Sequence, residues 1–167
     1  MEYVIRNEET QDVEQVRAIL QFAFTTEAES KLVDALRSNG KAIISLVAVC
    51  ADEVLGHILF SPVSTSPLGL AKGIGLAPVT VHPDRQFQGI GSQLIEAGLN
   101  LCQEMGFDYC VVLGDPNYYQ RFGFETASQF GIENEYGVDE EFMVIHFTDA
   151  EVSGLVKYAP EFALFAL

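Results

Sequence analysis

Basic residues are scarce in this sequence. Nine lysines and arginines stand against 24 aspartates and glutamates, which leaves a formal net charge of -15 over 167 residues. A nucleic-acid backbone or an anionic membrane surface would meet charge of its own sign, so we expect neither as a partner. The acidic balance suits a cationic ligand, and it serves solubility equally well.

Cysteines are also few, and their spacing fits no disulfide framework or metal site. Cys50, Cys102 and Cys110 form no CxxC pair and no Cys/His ligand pattern, so we expect no metal. Each cysteine lies within an apolar run, which predicts buried, reduced thiols. A nucleophilic role for Cys50 or Cys102 is the weaker alternative.

Long hydrophobic runs are absent as well. No apolar stretch approaches the roughly 20 residues that a membrane-spanning helix requires. Residues 1–7 carry charges and lack the apolar core of a signal peptide. We therefore expect a cytoplasmic protein without a membrane partner.

Hydrophobic residues, by contrast, are plentiful. They make up 49% of the chain and include 12 phenylalanines. A chain of this length buries roughly 70% of the surface that its unfolded form exposes, which is enough for a substantial core. We expect residues 1–167 to form a single domain.

The order of predicted elements indicates an α/β fold. Apolar residues at helical spacing predict helices over residues 10–24, 27–38 and 89–105, the first with Thr10 as its N-cap. Apolar and β-branched runs predict strands over residues 3–6, 42–50, 54–63, 73–81 and 109–113, and a final strand pair that ends at 142–147. The third helix therefore lies in a strand–helix–strand crossover, which predicts a mixed α/β sheet.

A glycine-containing loop precedes the most strongly amphipathic of these helices. Residues 86–91 read Gln-Phe-Gln-Gly-Ile-Gly, and glycine lets backbone N–H groups approach an anion closely. The start of a helix adds unpaired N–H donors and a positive dipole end, which favour phosphate. Arg85 adds a cation and Ser92 a hydroxyl. On spacing alone a plain structural turn is an equal reading, and the P-loop and dinucleotide patterns fit less well.

Two motifs in the expected order resemble those of the GNAT superfamily of N-acetyltransferases. Residues 86–91 match its Q/R-x-x-G-x-G/A loop and follow a strand at residues 76–81, as in that family. Residues 119–124, Tyr-Gln-Arg-Phe-Gly-Phe, are similar to its Y-x-x-x-G-F segment, and residues 113–116 resemble the YhbS type of predicted acetyltransferase. The resemblance covers nearly the whole chain. It implies a mostly antiparallel central sheet with two splayed strands, flanked by helices, and an acetyl-CoA-dependent N-acetyltransferase.

The resemblance also implies where the cosubstrate acetyl-CoA is held. Backbone amides of the loop would clasp the CoA pyrophosphate, and the preceding strand would pair with the pantetheine arm. A backbone N–H near Val79 or Thr80 would polarise the acetyl carbonyl. The implied cofactor-binding residues are Val79, Thr80, Val81, Gln86, Phe87, Gln88, Gly89, Ile90, Gly91 and Ser92.

The resemblance makes Tyr119 the candidate general acid for the departing thiolate. A phenol with a pKa of about 10 is protonated at neutral pH and can donate to sulfur. The alternative is that Tyr118 and Tyr119 are both packing residues. The general base stays open, because residues 76–81 contain no carboxylate. His82 and Asp115 are weaker candidates, with Asp115 more typical of a turn.

Other polar residues near the motifs are expected to be structural, or leave two readings open. His57 and His146 lie within strands, where structural roles are more common. Arg121 could reach a CoA phosphate or form a surface ion pair. Many family members carry an asparagine seven residues before the tyrosine to contact the pantetheine. Here that position is Val112, and Asn117 is out of register.

The acceptor is expected to be a primary amine, on a small molecule or on a protein. Carboxylates cluster in the segments that would build its cleft: Glu27, Glu29, Glu133, Glu135, Asp139, Glu140 and Glu141. They suit a cationic acceptor, although solvated loops explain them equally well. The Phe-rich tail, residues 162–167, should pack onto the domain or onto a second subunit, which would make a homodimer. A catalytically silent acyl-CoA-binding module is the alternative function, and a purely structural domain is a third.

Overall fold

The computed structural model describes residues 2–167, and Met1 lies outside the described part of the chain. The residues group into two compact units, each assembled from separate stretches of sequence. The first unit takes in the chain up to Phe60 together with residues 78–98 and 160–167. The second takes in residues 61–77 and 99–159.

The described residues form five α-helices and ten β-strands. The helices are α1 (Val13–Ala23), α2 (Ala28–Ser38), α3 (Ile90–Glu104), α4 (Pro116–Tyr119) and α5 (Pro160–Leu164). The strands are β1 (Val4–Asn7), β2 (Ile44–Cys50), β3 (Glu53–Pro62), β4 (Ser64–Ser66), β5 (Gly73–Val81), β6 (Tyr109–Leu113), β7 (Glu125–Thr126), β8 (Ile132–Glu133), β9 (Phe142–His146) and β10 (Gly154–Lys157). None of the helices in residues 2–167 combines the length and apolar character that a membrane crossing needs.

In the first unit the strand order is β1-β2-β3-β5. β1 and β3 both pair with β2 in antiparallel fashion, for example Val4 with Val49 and Ile44 with Phe60. Apolar faces of α1 and α2 supply buried core residues, as their helical spacing predicts: Val16, Ile19, Leu20, Leu32, Val33 and Leu36. Arg37 of α2 joins Glu8 at 2.6 Å and Asp34 at 2.9 Å, so ion pairs tie α2 to the end of β1.

In the second unit the order is β5-β6-β9-β7, and a smaller sheet has the order β4-β10-β8. β5 and β6 are parallel from Gly73–Tyr109 to Leu76–Val112, where their pairing ends although β5 continues to Val81. β9 pairs with β6 and with β7 in antiparallel fashion. The mixed sheet with flanking helices confirms the predicted fold class.

Two details of the sequence interpretation are wrong. The residue that caps the first turn is Glu9 and not Thr10, because Glu9 and Asp12 cap each other, and the Glu9 N–H donates to Asp12 Oδ2 at 2.7 Å. Arg6 holds Asp12 in place with hydrogen bonds of 2.7 and 3.0 Å. The predicted third helix, residues 89–105, is one residue too long at each end, since α3 spans Ile90–Glu104 and Met105 is 48% exposed.

The C-terminal tail packs onto its own chain through α5. Phe162 is buried, and the Glu161 carboxylate accepts hydrogen bonds from Asn39 Nδ2 at 2.7 Å and Lys41 Nζ at 2.8 Å. Asn39 and Lys41 follow α2, so polar contacts anchor the tail to the first unit. The end of the tail is different, since Leu164 is 77% exposed.

Candidate active site

The expected donor-binding residues all belong to the first unit. Val79 and Val81 of β5 are half-buried, and Thr80 between them is 5% exposed. After β5 the chain turns through a short 3-10 helix, Pro83–Arg85. The His82 N–H donates to Leu55 O at 2.7 Å, which fixes the end of β5 against β3.

The loop between β5 and α3 presents its backbone to solvent. Gln86, Phe87, Gln88 and Gly89 are all exposed. Phe87 and Gly89 have positive φ angles of 64° and 82°, and a Cβ added to Gly89 would meet no atom within 4 Å. A bulky residue with positive φ is uncommon in proteins, so the Phe87 backbone is strained. The shape of the loop imposes this conformation.

Helix α3 starts directly after this loop. Its first hydrogen bond runs from Gln93 N to Gly89 O at 3.1 Å, so the N–H groups of Ile90 and Gly91 precede the helical ladder. Such groups at the start of a helix favour an anion. Arg85 is half-buried beside the loop and has no carboxylate within ion-pair distance in residues 2–167. The loop, the helix start and this cation together can hold a phosphate group.

A glycine that the sequence interpretation did not single out lets these parts come together. A Cβ on Gly56 of β3 would lie 3.0 Å from Leu94 Cδ1, 3.1 Å from Ile90 Cγ2 and 3.1 Å from Thr80 O. Both α3 and β5 therefore approach the β3 backbone at this one residue. An isolated glycine inside a strand pattern often marks such a close approach, which is the signal that could have identified Gly56.

Tyr119 lies in the second unit, at the end of α4. It is 9% exposed and packs edge-on against Tyr118 and Phe124, with ring centroids 5.1 and 5.8 Å apart. Gly114 leaves room for its ring, because a Cβ there would overlap Tyr119. Burial is the largest cause that raises the pKa of Tyr119 to about 12, and the electrostatic effects of Tyr118 and Cys110 add to it. Its hydroxyl is therefore protonated at neutral pH.

Neighbouring polar residues of the second motif have structural partners. Asp115 Oδ1 accepts from Asn117 N at 2.9 Å and caps α4, as the turn interpretation predicts. The Arg121 guanidinium lies 5.1 Å from the ring centroid of Tyr118. Val112 is buried in β6. These contacts shape the segment around Tyr119.

Each histidine also has a defined environment. His57 is fully buried, its Nε2 lies 2.8 Å from Ser45 Oγ, and burial lowers its pKa to about 3, so it is neutral. His82 Nδ1 accepts from Asp84 N at 3.1 Å and caps the turn after β5. His146 packs against Phe130 with ring centroids 4.7 Å apart. The buried, neutral His57 is poorly suited to act as a base at neutral pH.

Two of the seven clustered carboxylates share a cavity in the second unit. Glu133 and Asp139 line a space of about 320 Å³. The remaining lining residues are Ala127, Ser128, Ile132, Asn134, Val138, Phe142 and Leu155. Glu27 and Glu29 belong to the first unit, at the start of α2, where Glu27 pairs with Lys31 at 3.3 Å. The described residues contain no group of three or more side chains that could hold a metal ion.

An exposed glycine-containing loop between a strand of a mixed sheet and a long helix is typical of nucleotide- and CoA-binding proteins. Comparison with known proteins identifies the family within this class. The model of the acetyltransferase (GNAT) domain matches residues 4–127. The uncharacterized N-acetyltransferase YhbS of Escherichia coli is 36% identical over 167 residues, covering 97% of this chain and 99% of that protein. The chain therefore belongs to the GNAT acetyltransferase family.

Solved structures agree with this assignment. The crystal structure of E. coli YhbS in complex with CoA matches with a TM-score of 0.90 and 36% identity, covering 96% of this chain and 92% of that one. A GNAT family acetyltransferase from Brucella melitensis in complex with acetyl-CoA matches with a TM-score of 0.81 and 36% identity, covering 96% and 98%. The predicted activity, acetyl-CoA-dependent N-acetyl transfer, is thus confirmed as the activity of this family.

Proposed function

We propose that this protein binds acetyl-CoA at residues 79–92 and transfers the acetyl group by direct attack of a primary amine on the thioester. The observation that carries the donor half is the exposed loop at the start of α3, with Phe87 and Gly89 at positive φ. Backbone amides of Gln86–Gly91, with Ser92 beside them, hold the pyrophosphate in this proposal. Unpaired Arg85 supports it, because a cation beside the loop strengthens phosphate binding. The cosubstrates bound by the E. coli and Brucella proteins, CoA and acetyl-CoA, support the same ligand here.

Tyr119 is the general acid in this proposal. The ammonium first loses a proton to solvent, and the neutral amine then attacks the thioester to give a tetrahedral intermediate. Collapse of the intermediate breaks the C–S bond, the departing thiolate takes the proton of Tyr119, and the proton that the amide nitrogen loses returns to the Tyr119 phenolate through solvent. A phenol with its pKa raised to about 12 keeps its proton until that moment. The backbone N–H near Val79 or Thr80 is the proposed donor to the carbonyl oxygen, with Val81 continuing the pairing to the pantetheine arm.

The acceptor is a cationic primary amine, carried by a small molecule or by a protein. The support is electrostatic: the net charge of -15 draws cations, and Glu133 and Asp139 line one cavity. We further propose that residues 1–167 act as one catalytic domain, because the GNAT model matches residues from both compact units. The cytoplasm is the proposed location of this domain. Exposed Leu164 offers an apolar contact for a homodimer, which sedimentation of the purified protein would reveal.

Two measurements test this function. Titration with CoA should raise the melting temperature, since ligand at 100 times its dissociation constant stabilises by about 2.7 kcal/mol. Release of free CoA should then be followed with acetyl-CoA and a panel of amines. Tyr119→Phe should lower kcat by roughly 10²- to 10⁴-fold, while Tyr118→Phe, the matched control, keeps most of the activity.

A catalytically silent acyl-CoA-binding module is the alternative, favoured by the lack of a carboxylate in residues 76–81. The silent module would be established if the wild type binds CoA but forms no free CoA from acetyl-CoA with any amine in the panel. A protein whose melting temperature CoA does not change would contradict both functions.

A further inference from the structure

We propose that the acceptor amine carries a second positive charge, which binds to Glu133 and Asp139 in the cavity of the second unit. This inference deepens the proposed function and rests on it, because it takes acetyl transfer to an amine as given. It narrows the acceptor to a small diamine, in which an aliphatic chain joins two amino groups.

The first argument is the size and lining of the cavity. Its volume of about 320 Å³ falls at the lower end of the range for small-molecule sites, roughly 300–1,000 Å³. Part of its wall is apolar and consists of Ile132, Val138, Phe142 and Leu155. A wall of this kind suits the methylene groups of a short aliphatic chain, because their contact with it removes apolar surface from water.

The second argument is that the cavity has charge of one sign. Glu133 and Asp139 are its ionisable lining residues, and within residues 2–167 neither carboxylate has a basic group at ion-pair distance. Asn134 holds the loop between them, since its Oδ1 accepts from Tyr136 N and its Nδ2 donates to Val138 O, both at 2.8 Å. A cation for these carboxylates therefore has to come from a ligand.

The third argument is the position of the cavity beside the proposed general acid. Phe142 of the cavity wall pairs with Leu113 across β9 and β6. The next residue, Gly114, leaves room for the ring of Tyr119 and donates its N–H to Glu141 O at 2.9 Å. Paired strands lie about 4.8 Å apart, so the cavity and Tyr119 meet at the same end of this strand pair. An amine held in the cavity by one end is thus close to Tyr119.

The two ends of the diamine have different roles in the reaction. One ammonium group loses a proton to solvent, and its nitrogen forms the new C–N bond to the acetyl carbon. The C–S bond breaks, Tyr119 gives its proton to the thiolate, and the second proton lost by the nitrogen restores the phenol. The other amino group stays a cation at the carboxylates. The products are a monoacetylated diamine and CoA.

Rates of CoA release with 1,4-diaminobutane and with n-butylamine test this inference. The variant is the double substitution Glu133→Gln and Asp139→Asn, which keeps the shape of both side chains and removes their charge. We expect its kcat/KM for the diamine to fall roughly 10- to 100-fold, mainly through KM, because charge-assisted contacts are lost. The value for butylamine should stay close to that of the wild type. The basicity of each amine cancels, since each is compared with itself across the variants.

The matched control is the double substitution Asp149→Asn and Glu151→Gln. It removes the same two charges from exposed residues of the second unit that lie outside this cavity, so both amines should react as with the wild type. Nα-acetyl-lysine methylamide represents a protein lysine with one positive charge, and it should behave like butylamine. If the double variant of the cavity fails to fold, Asp139→Asn alone should give a smaller loss that is again confined to the diamine.

A cavity variant that loses activity equally with diamine and butylamine, or with neither, would overturn the inference and leave the proposed function standing. The same holds if the control variant loses as much activity with the diamine, or if the lysine derivative is the better substrate of the wild type. A wild type that releases no CoA with any amine of the panel would overturn the proposed function and this inference together.

Discussion

The hydroxyl of Tyr158 lies 3.1 Å from the carbonyl oxygen of Leu76, the last residue of β5 that pairs with β6. The carbonyl oxygen of Val111 is 3.3 Å from the same hydroxyl. The ring fits because Gly75 has no side chain, since a Cβ there would overlap it. Burial raises the pKa of the Tyr158 phenol well above its ordinary value, so the group is a hydrogen-bond donor at neutral pH.

Tyr158→Phe should therefore destabilise the protein. The change leaves the ring in place but removes a buried donor whose single hydrogen the carbonyl oxygens of Leu76 and Val111 share. Its loss costs about 1–3 kcal/mol of unfolding free energy. Urea denaturation measures the loss. Tyr136→Phe is the control, because it removes the hydroxyl of a half-buried tyrosine whose ring lies 6.3 Å from that of Tyr158. Equal stability of Tyr158→Phe and wild type would show that the hydrogen bonds contribute nothing net.

Gly56→Ala should weaken both stability and CoA binding. The added methyl group would press on Ile90 and Leu94 side chains, which can yield, and on Thr80 O, which is backbone and cannot. We expect a loss of about 1–3 kcal/mol in unfolding free energy and a higher Kd for CoA. Gly69→Ala is the matched control, since the nearest atom to its new methyl group is Thr65 Oγ1 at 3.6 Å. If the two variants behave alike, the close approach at Gly56 is unimportant.

The activity of the wild type should show no falling limb at alkaline pH up to about pH 10. The pKa of Tyr119 is raised to about 12, so the proposed acid keeps its proton across that range while the acceptor amine loses its own. The pH profile of kcat/KM, measured with acetyl-CoA and one reactive amine, tests this. A descending limb near pH 8 or 9 that Tyr119→Phe abolishes would place the pKa of the acid much lower.

In the Glu161→Gln variant the free energy of unfolding should fall less than in the wild type as the pH is lowered. The hydrogen bond from Lys41 Nζ, with a further one from Asn39, holds the pKa of Glu161 below its ordinary value in the folded protein. The carboxylate therefore stabilises the fold above the unfolded-state pKa of about 4.3, and this contribution is lost as the pH falls through the folded-state pKa.

Unfolding free energies of wild type and Glu161→Gln should thus differ most at pH 7 and converge as the pH falls below the unfolded-state pKa of Glu161. Glu104→Gln, a change at an exposed position of α3, controls for the loss of one negative charge. A difference that stays constant with pH would mean that ionisation of Glu161 does not contribute.

Sequence patterns predicted the elements whose signals are local. β5 and β6 are found where predicted, because each is a continuous apolar run bounded by residues that break strands. α2 ends at Ser38, as predicted, and Gly40 with its positive φ follows, a conformation that commonly ends a helix. The strands β8 and β10 escaped prediction, since each is short and they pair across a wide sequence separation, Ile132 with Gly154. The Thr10 cap failed because Glu9 is the N-cap instead, and its N–H donates to Asp12, whose carboxylate Arg6 also holds.

The candidate site likewise contains residues that local sequence predicts and residues that only the fold reveals. Its loop could be predicted because glycine, helix start and family motif are all written in one stretch of sequence. The roles of Gly56 and Tyr158 could not, because each depends on which residues the fold brings against them.

The tail contact has a consequence for how the protein is made. The first unit is completed by residues 160–167, whose Glu161 binds Lys41 and Asn39. Residues 2–60 leave the ribosome long before their partner does, and chain segments usually fold as soon as their unit is complete. During synthesis Asn39 and Lys41 therefore lack the Glu161 carboxylate until residues 160–167 have emerged. Nascent chains that stop short of residue 160 should therefore have a less stable first unit than chains that include residues 160–167.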